Sequence, residues 1–210
     1  MKLALAAIAV FVLLLVGLAV ATASRETRSS PATTQLFDGG PFRGSEPPAR
    51  IPLPVFALRD YTGAVMSSAS LRGKVTVLTF LDTKCKEACP IIAGQIASTA
   101  ALLAPDERGQ VVFVAITSDP RDDTPAAIRA FLRRHRALGT LHYLSGPVPT
   151  LRRLWHSFQI LSSLDSGDAD THSAPVRIYS RDGIWLATQH AGADLTPANL
   201  AHDIRVALRR

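Results

Sequence analysis

Cysteine is scarce in this sequence, with two residues in a chain of 210. Two cysteines close one bridge at most, so a fold held together by several disulfides is excluded. Aromatic residues are also few, at 6% of the chain, and the net charge of +6 is carried by short clusters such as RRHR at 133–136. Because no basic run is long and none is regularly interleaved with aromatic residues, nucleic-acid binding is not expected.

An apolar run without charge opens the chain at 3–23, with the sequence LALAAIAVFVLLLVGLAVATA. At roughly 1.5 Å per residue, a helix of this length reaches about 31 Å and can cross a bilayer. Lys2 precedes the run, so the rest of the chain is expected on the extracytoplasmic side. An A-x-A pattern at 21–23 also fits a signal-peptide cleavage site. We therefore predict that 1–23 is either a signal peptide, giving a secreted protein, or the anchor of a single-pass cell-membrane protein.

The next segment, 24–50, is rich in Ser, Thr, Pro and Gly and contains few large apolar residues. This composition predicts a flexible linker between the membrane segment and a folded domain. The remaining residues, 51–210, have the usual length of a single domain.

Strands and helices are predicted to alternate within that domain. Continuous apolar runs at 75–81 and 111–117 are typical of strands buried on both faces. Between them, apolar residues recur at helical spacing from Ile92 to Leu103, which predicts a β-α-β unit with parallel strands. The pattern favours an α/β fold of thioredoxin-like type, with a central mixed sheet flanked by helices. Further elements are expected as strands at 53–60 and 141–144, helices opened by Thr124-Pro125 and Thr196-Pro197, a helix at 149–160 and a hairpin at 176–188.

Both cysteines lie where the first buried strand ends and the following helix begins, in the segment TFLDTKCKEACP at 79–90. Loops at the carboxyl edge of a parallel sheet commonly bind ligands. The start of a helix stabilises a thiolate. Because residues four apart share a helix face, Cys85 and Cys89 can point into one space. Two such soft sulfur ligands suit Cu(I), and zinc less selectively.

The residues alone leave several interpretations of the pair open. A bridge that closes so few residues stabilises little, so a structural disulfide is the least favoured. In a thiol–disulfide oxidoreductase, Cys85 would attack and Cys89 would resolve the mixed disulfide. A peroxide-reducing or redox-sensing protein is a further alternative, although no Pro-x-x-x-Thr run precedes Cys89. A metal site is the remaining interpretation, and it needs at least one more ligand.

Six histidines are available as that ligand. His172 ends a polar loop at 161–172, immediately before a predicted strand that enters the sheet at a mouth lined by loops. It is therefore the candidate ligand, with an exposed loop histidine as the alternative. The other five are expected to be solvated, packed or without a clear partner: His135, His142, His156, His190 and His202.

Three segments resemble, in order and spacing, the SCO/SenC family of copper proteins: TFLDTKCKEACP, VAITSDPRDDTP and THSAPVRIYSRDG. The resemblance covers about residues 53–208. It implies a thioredoxin-like fold and one copper ion, Cu(I) or Cu(II), bound by Cys85, Cys89 and His172. It further implies a membrane-tethered metallochaperone, rather than an enzyme, that delivers copper to the copper A centre of cytochrome c oxidase or reduces its thiols. The implied partners are the copper-bearing oxidase subunit and other copper chaperones.

This chain departs from the family pattern at several acidic positions. Family members often carry an acidic residue immediately before the ligand histidine, where this chain has Thr171, with Asp170 one position earlier. Asp82 is unusual beside the predicted copper loop. Asp119 and Asp123, by contrast, belong to the DP and DTP segments that match the family. They are interpreted as turn and cap residues, with contacts to the site as the less favoured alternative.

Overall fold

The computed structural model of the protein describes residues 40–210. The predicted leader or anchor at 1–23 and the predicted linker up to residue 39 lie outside the described residues. Between residues 40 and 210, no helix has both the length and the apolar character needed to span a bilayer.

A seven-stranded mixed sheet forms the centre of the described chain, in the order β2-β1-β5-β4-β3-β6-β7. The pairs β3–β4 and β4–β5 are parallel, and all other neighbours are antiparallel. The predicted mixed sheet with a parallel β-α-β unit is therefore confirmed. The strands are β1 (Ala57–Asp60), β2 (Val65–Ser67), β3 (Val75–Leu81), β4 (Val111–Thr117), β5 (Leu141–Ser145), β6 (Val176–Tyr179) and β7 (Trp185–Gln189).

Helices cover both faces of this sheet. In β3, Val75 and Val77 pack on the side of α1, α3 and α6, whereas Leu78 and Phe80 pack on the side of α4. Because successive side chains of a strand point to opposite faces, a sheet covered on both sides favours apolar residues at most positions. In β3 and β4 the only polar residues are Thr76, Thr79 and Thr117. The helices are α1 (Ala88–Leu102), α2 (Pro105–Arg108), α3 (Pro125–Arg134), α4 (Val148–Phe158), α5 (Ser163–Ser166) and α6 (Pro197–Leu208).

The long helices begin where their sequence signals predict. The hydroxyl of Thr124 accepts the backbone N–H of Ala127 at the start of α3, and Thr196 caps α6 in the same way. The amino-terminal strand is shorter than predicted, beginning at Ala57, and it forms a hairpin with β2. The four-residue helices α2 and α5 were not predicted, because elements this short contain too few residues to show a helical period.

Strand pairing brings three loops to one edge of the sheet. The loop 82–87 follows β3, and the loop 118–124 follows the parallel strand β4, so both lie at the carboxyl edge. Strand β6 pairs antiparallel with β3, with Arg177 opposite Leu78. The start of β6 therefore lies beside the end of β3, and the loop 167–175 that leads into β6 meets the other two.

Part of the predicted linker is packed on the domain. Phe42 is buried, and the backbone amides of Arg43 and Gly44 donate to the carboxylate of Asp203 on α6 over 2.7 and 2.9 Å. The packed chain therefore begins before Ile51. The composition of the segment did not predict this, because apart from the side chain of Phe42 the contacts are made largely by backbone groups.

The carboxylate of Asp203 is fully buried and also accepts a hydrogen bond from Gln189 over 2.7 Å. In Asp203→Asn, one carboxylate oxygen is replaced by an NH₂ group, which cannot accept a hydrogen bond. At least one of the N–H donors that now bond to Asp203 therefore loses its acceptor. We expect the free energy of unfolding to fall by about 2 kcal/mol, as measured by urea denaturation. Asp106→Asn, at an exposed position, is the matched control. Equal, small effects of the two substitutions would contradict the proposed anchoring role of Asp203.

Candidate metal centre

Three potential metal ligands come together at this edge of the sheet. The sulfur atoms of Cys85 and Cys89 and the ring of His172 offer donor atoms that all lie within 4.8 Å of one another. Nε2 of His172 is 3.1 Å from Sγ of Cys89. Within residues 40–210, no other group of three His, Cys, Asp or Glu side chains has such an arrangement. All three residues predicted as ligands are thus close enough to bind one metal ion.

The two cysteines are held by the turn from strand to helix. Cys85 lies in the loop after β3, and Cys89 lies in the first turn of α1, where backbone N–H groups have no partner within the helix. The N–H of Cys89 donates to Sγ of Cys85 over 3.4 Å, and the N–H of Asp82 donates to Sγ of Cys89 over 3.4 Å. Both side chains are buried, at 4% and 0% exposure. The backbone therefore stabilises negative charge on sulfur in a site with little access to water.

The thiols differ in acidity. The hydrogen bond from the Cys89 thiol lowers the pKa of Cys85 to about 4, with further help from His172 and backbone amides. The same hydrogen bond raises the pKa of Cys89 far above its usual value, and burial adds to the effect. At neutral pH the pair is thus one thiolate and one thiol that share a proton. A metal ion bound by both sulfurs must displace that proton.

His172 faces the sulfurs from the loop that leads into β6. Burial alone lowers the pKa of the ring, but the nearby Cys85 thiolate and the contact to Ser173 outweigh burial and raise it. Nδ1 lies 3.3 Å from the carbonyl oxygen of Ser173. A proton on Nδ1 leaves Nε2 free to coordinate a metal. Ser173 is in turn fixed by two hydrogen bonds with the backbone of Leu161, over 2.9 and 3.1 Å.

Two of the acidic residues that depart from the family pattern hold the cysteine loop. Asp82 is 1% exposed and accepts the N–H of Lys84 over 2.7 Å, and burial raises its pKa. Asp170 accepts the N–H of Lys86 over 2.6 Å, a bond that lowers the pKa of Asp170. Because Asp170 precedes His172 by two residues, this bond also ties the histidine loop to the cysteine loop.

Asp123 makes contacts that its interpretation as a turn or cap residue did not include. Its buried carboxylate accepts the N–H of Thr83 over 2.9 Å, the hydroxyl of Thr117 over 2.6 Å and the hydroxyl of Tyr143 over 2.7 Å. Asp123 therefore anchors the cysteine loop to β4 and β5. Asp119, by contrast, accepts the backbone N–H of Arg121 and is a turn residue as predicted.

The remaining histidines make contacts elsewhere. His135 packs against the ring of Phe131, with centroids 4.6 Å apart. Nδ1 of His202 lies 3.0 Å from the carboxylate of Asp203. His156 and His190 are exposed at the surface. Neither these nor His142 joins the cysteine pair within the described chain.

Comparisons of sequence agree with the geometry. The SCO1/SenC family profile matches residues 46–209. A protein of Stutzerimonas stutzeri named "Putative copper-binding protein" is 31% identical over 135 residues, which are 62% of this chain and 65% of that protein. The chain thus spans just under two thirds of that relative's length. An SCO2-like protein of Rickettsia conorii is 24% identical over 158 residues, 71% of this chain and 74% of its own length.

Solved structures share the architecture. ScoI of Bradyrhizobium japonicum with copper bound superposes with a TM-score of 0.63 at 24% identity, over 75% of this chain and 99% of that one. Apo Sco1 of Thermus thermophilus gives a TM-score of 0.66 at 19% identity, over 79% and 96% of the respective chains. At these identities the likeness shows the fold, and it confirms the thioredoxin-like arrangement expected from the sequence.

The anchor at Asp123 predicts a distinctive dependence of stability on pH. Burial outweighs the three hydrogen bonds and raises the pKa of Asp123 from 3.8 to about 6. Between pH 3.8 and about 6, Asp123 holds a proton in the folded chain that it has lost in the unfolded chain. The free energy of unfolding therefore falls as the pH rises through this window. Asp123→Asn lacks this contribution. The stability advantage of the wild type over Asp123→Asn is expected to shrink by on the order of 3 kcal/mol across this window.

Urea denaturation of the metal-free protein at several pH values measures this difference, with Asp106→Asn as the control for a carboxylate at an exposed position. An advantage that instead grows with pH would show that the three donors outweigh burial and that the pKa of Asp123 is lowered.

Proposed function

The chain belongs to the SCO1/SenC family, and from this premise we propose that it binds one copper ion and delivers it to the copper A centre of cytochrome c oxidase. The ligands are Cys85, Cys89 and His172. The observation that carries the proposal is their convergence, with donor atoms within 4.8 Å of one another. Two thiolates and one imidazole form a soft ligand set, which selects Cu(I) over hard cations such as Mg²⁺ or Ca²⁺.

The surroundings of the sulfurs suit this charge. Two thiolates and Cu(I) leave one net negative charge in a site where both cysteines are almost fully buried. Backbone N–H groups of Asp82 and Cys89 point at the sulfurs and offset that charge. These two backbone donors therefore add to the stabilisation of the thiolate form that His172 provides.

The position of His172 suits exchange of the ion. The cysteines are buried, whereas His172 is half-buried on a loop without regular structure. The histidine side is therefore the route by which a partner's ligands reach the copper.

We propose the copper-bearing oxidase subunit as the recipient and other copper chaperones as donors. In this proposal the domain works on the extracytoplasmic side, with 1–23 as a membrane anchor or as a cleaved leader.

Anaerobic Cu(I) titration against a competing chelator tests the ligand set. The wild type is expected to bind one copper per chain. Removing a residue that only hydrogen-bonds to a metal ligand lowers the metal affinity about 10–100-fold. Removing a ligand itself, as in His172→Ala or either cysteine-to-serine variant, should lower the copper affinity by at least as much. His156→Ala, which removes an exposed histidine from α4, should bind as tightly as the wild type. Wild-type affinity in His172→Ala would refute the three-ligand site.

Thiol–disulfide exchange is a second candidate function, and the unequal acidity of the two cysteines favours it. The Cys85 thiolate attacks a disulfide of the partner, forms a mixed disulfide and releases one partner thiolate. Cys89 then gives up its proton and attacks Sγ of Cys85, which releases the second partner thiolate. The partner gains two electrons, and the protein is left with a Cys85–Cys89 disulfide.

Single-turnover reaction with oxidised glutathione distinguishes the roles of the two cysteines. In Cys89→Ser, the mixed disulfide on Cys85 cannot be resolved and should accumulate, as detected by mass spectrometry. In Cys85→Ser, the remaining thiol of Cys89 is fully buried, which raises its pKa and limits its access to glutathione, so it is expected to react far more slowly. Equal rates in the two variants would contradict these roles. Exchange that persists in His172→Ala would separate this activity from copper binding.

A further inference from the structure

A cavity of about 430 Å³ opens one residue past the candidate histidine ligand. It lies where the loop before β6 meets β6, β7 and the end of α4. Its wall includes Ser173, Arg177, Trp185 and His190, none of which belongs to the Cys85, Cys89 and His172 set. The cavity therefore adjoins the metal centre without being part of it.

Arg177 supplies the charge of this cavity. Its guanidinium carbon lies 4.3 Å from the centre of the Trp185 ring, and one Nη donates to the carbonyl oxygen of Phe158 over 2.9 Å. Nε of Arg177 is buried and has no hydrogen-bond partner. Among residues 40–210, no Asp or Glu side chain forms an ion pair with Arg177. The guanidinium is thus fixed in position but has no anionic partner in this part of the chain.

This arrangement is the chemistry of a carboxylate receptor. A guanidinium presents its N–H groups as a planar fork that matches the two oxygens of a carboxylate. Stacking on an indole ring holds the fork in place before a ligand arrives, which reduces the entropy lost on binding. Ser173 and His190 add polar groups to the same wall.

We propose that this cavity, which we call the Arg177 pocket, binds the carboxylate of an acidic side chain on the protein with which copper is exchanged. The inference rests on the proposed function and adds the chemistry that orients the partner. The position of the pocket favours a protein as the source, because a partner that reaches His172 must also cover Ser173. Leu161, hydrogen-bonded to Ser173 and 49% exposed, offers an apolar contact at the same place. The net charge of +6 also favours an acidic partner.

Carboxylate recognition is tested on the metal-free full chain by NMR. The probes are two blocked tripeptides, acetyl-Gly-Glu-Gly-amide and acetyl-Gly-Gln-Gly-amide, and the signal is the Nε–H resonance of Arg177. The Glu peptide should shift this resonance saturably and bind about tenfold or more tightly than the Gln peptide. Equal binding of the two peptides, or no saturable shift, would overturn the proposal.

Two variants show whether Arg177 carries the binding. In Arg177→Gln, the backbone amide of Ser173 should no longer respond to the Glu peptide. Arg129→Gln, which removes the same charge from the exposed face of α3, should respond like the wild type. Unchanged copper stoichiometry serves as the check that Arg177→Gln is folded. If it is not, Arg177→Lys keeps the charge but loses the fork and should bind the Glu peptide more weakly than the wild type.

The source of the carboxylate is tested by copper transfer. Arg177→Gln should pass Cu(I) to the soluble copper-free domain of the oxidase subunit about tenfold more slowly than the wild type or Arg129→Gln. Transfer to a small chelator should be unaffected. Wild-type transfer rates to the domain in Arg177→Gln would overturn the docking role. If the wild type itself transfers no copper to that domain, delivery to the oxidase fails as a function, while the peptide titration still decides the pocket.

Discussion

The antiparallel pairing of β3 with β6 is the constraint on which the metal centre depends. Cys85 and His172 are far apart in the sequence, and neither segment has a ligand set of its own. Because β6 runs against β3, the loop that enters β6 must meet the loop that leaves β3. The apolar residues of β3, covered by helices on both faces, fix that pairing. The packing of the core therefore fixes the position of the His172 imidazole relative to the two sulfurs.

Three carboxylates also hold the cysteine loop in place. Asp82, Asp123 and Asp170 come from three different segments, and each accepts one backbone N–H within 83–86. This loop has no regular secondary structure, so these bonds replace the hydrogen-bond ladder that a helix or strand would provide. A cysteine loop held by these bonds and a half-buried histidine are consistent with the proposed uptake and release of copper.

Much of this arrangement follows from local sequence patterns. The continuous apolar runs of β3 and β4, the helical spacing in α1 and the Thr-Pro caps are local signals, and each predicted an observed element. The two cysteines could be placed at a strand-to-helix turn for the same reason. His172 was a weaker candidate from the residues alone, because its approach to the sulfurs depends on the pairing of β6 with β3.

Other features were not predictable, because their signals are spread over distant segments. The anchor at Asp123 needs Thr83, Thr117 and Tyr143, which lie on three elements and form no motif. The anchoring of residues 43–45 rests on backbone amides that any sequence offers. The stack of Arg177 on Trp185 joins two strands of a hairpin, and its lack of an acidic partner is visible only after folding.

The most direct test of the central claim is X-ray absorption spectroscopy on the protein loaded with one Cu(I) per chain. We predict two sulfur neighbours and one nitrogen neighbour, with the outer-ring scattering of a single imidazole that disappears in His172→Ala. Two sulfurs without an imidazole contribution, or a spectrum unchanged by that substitution, would contradict the claim that Cys85, Cys89 and His172 hold the ion together.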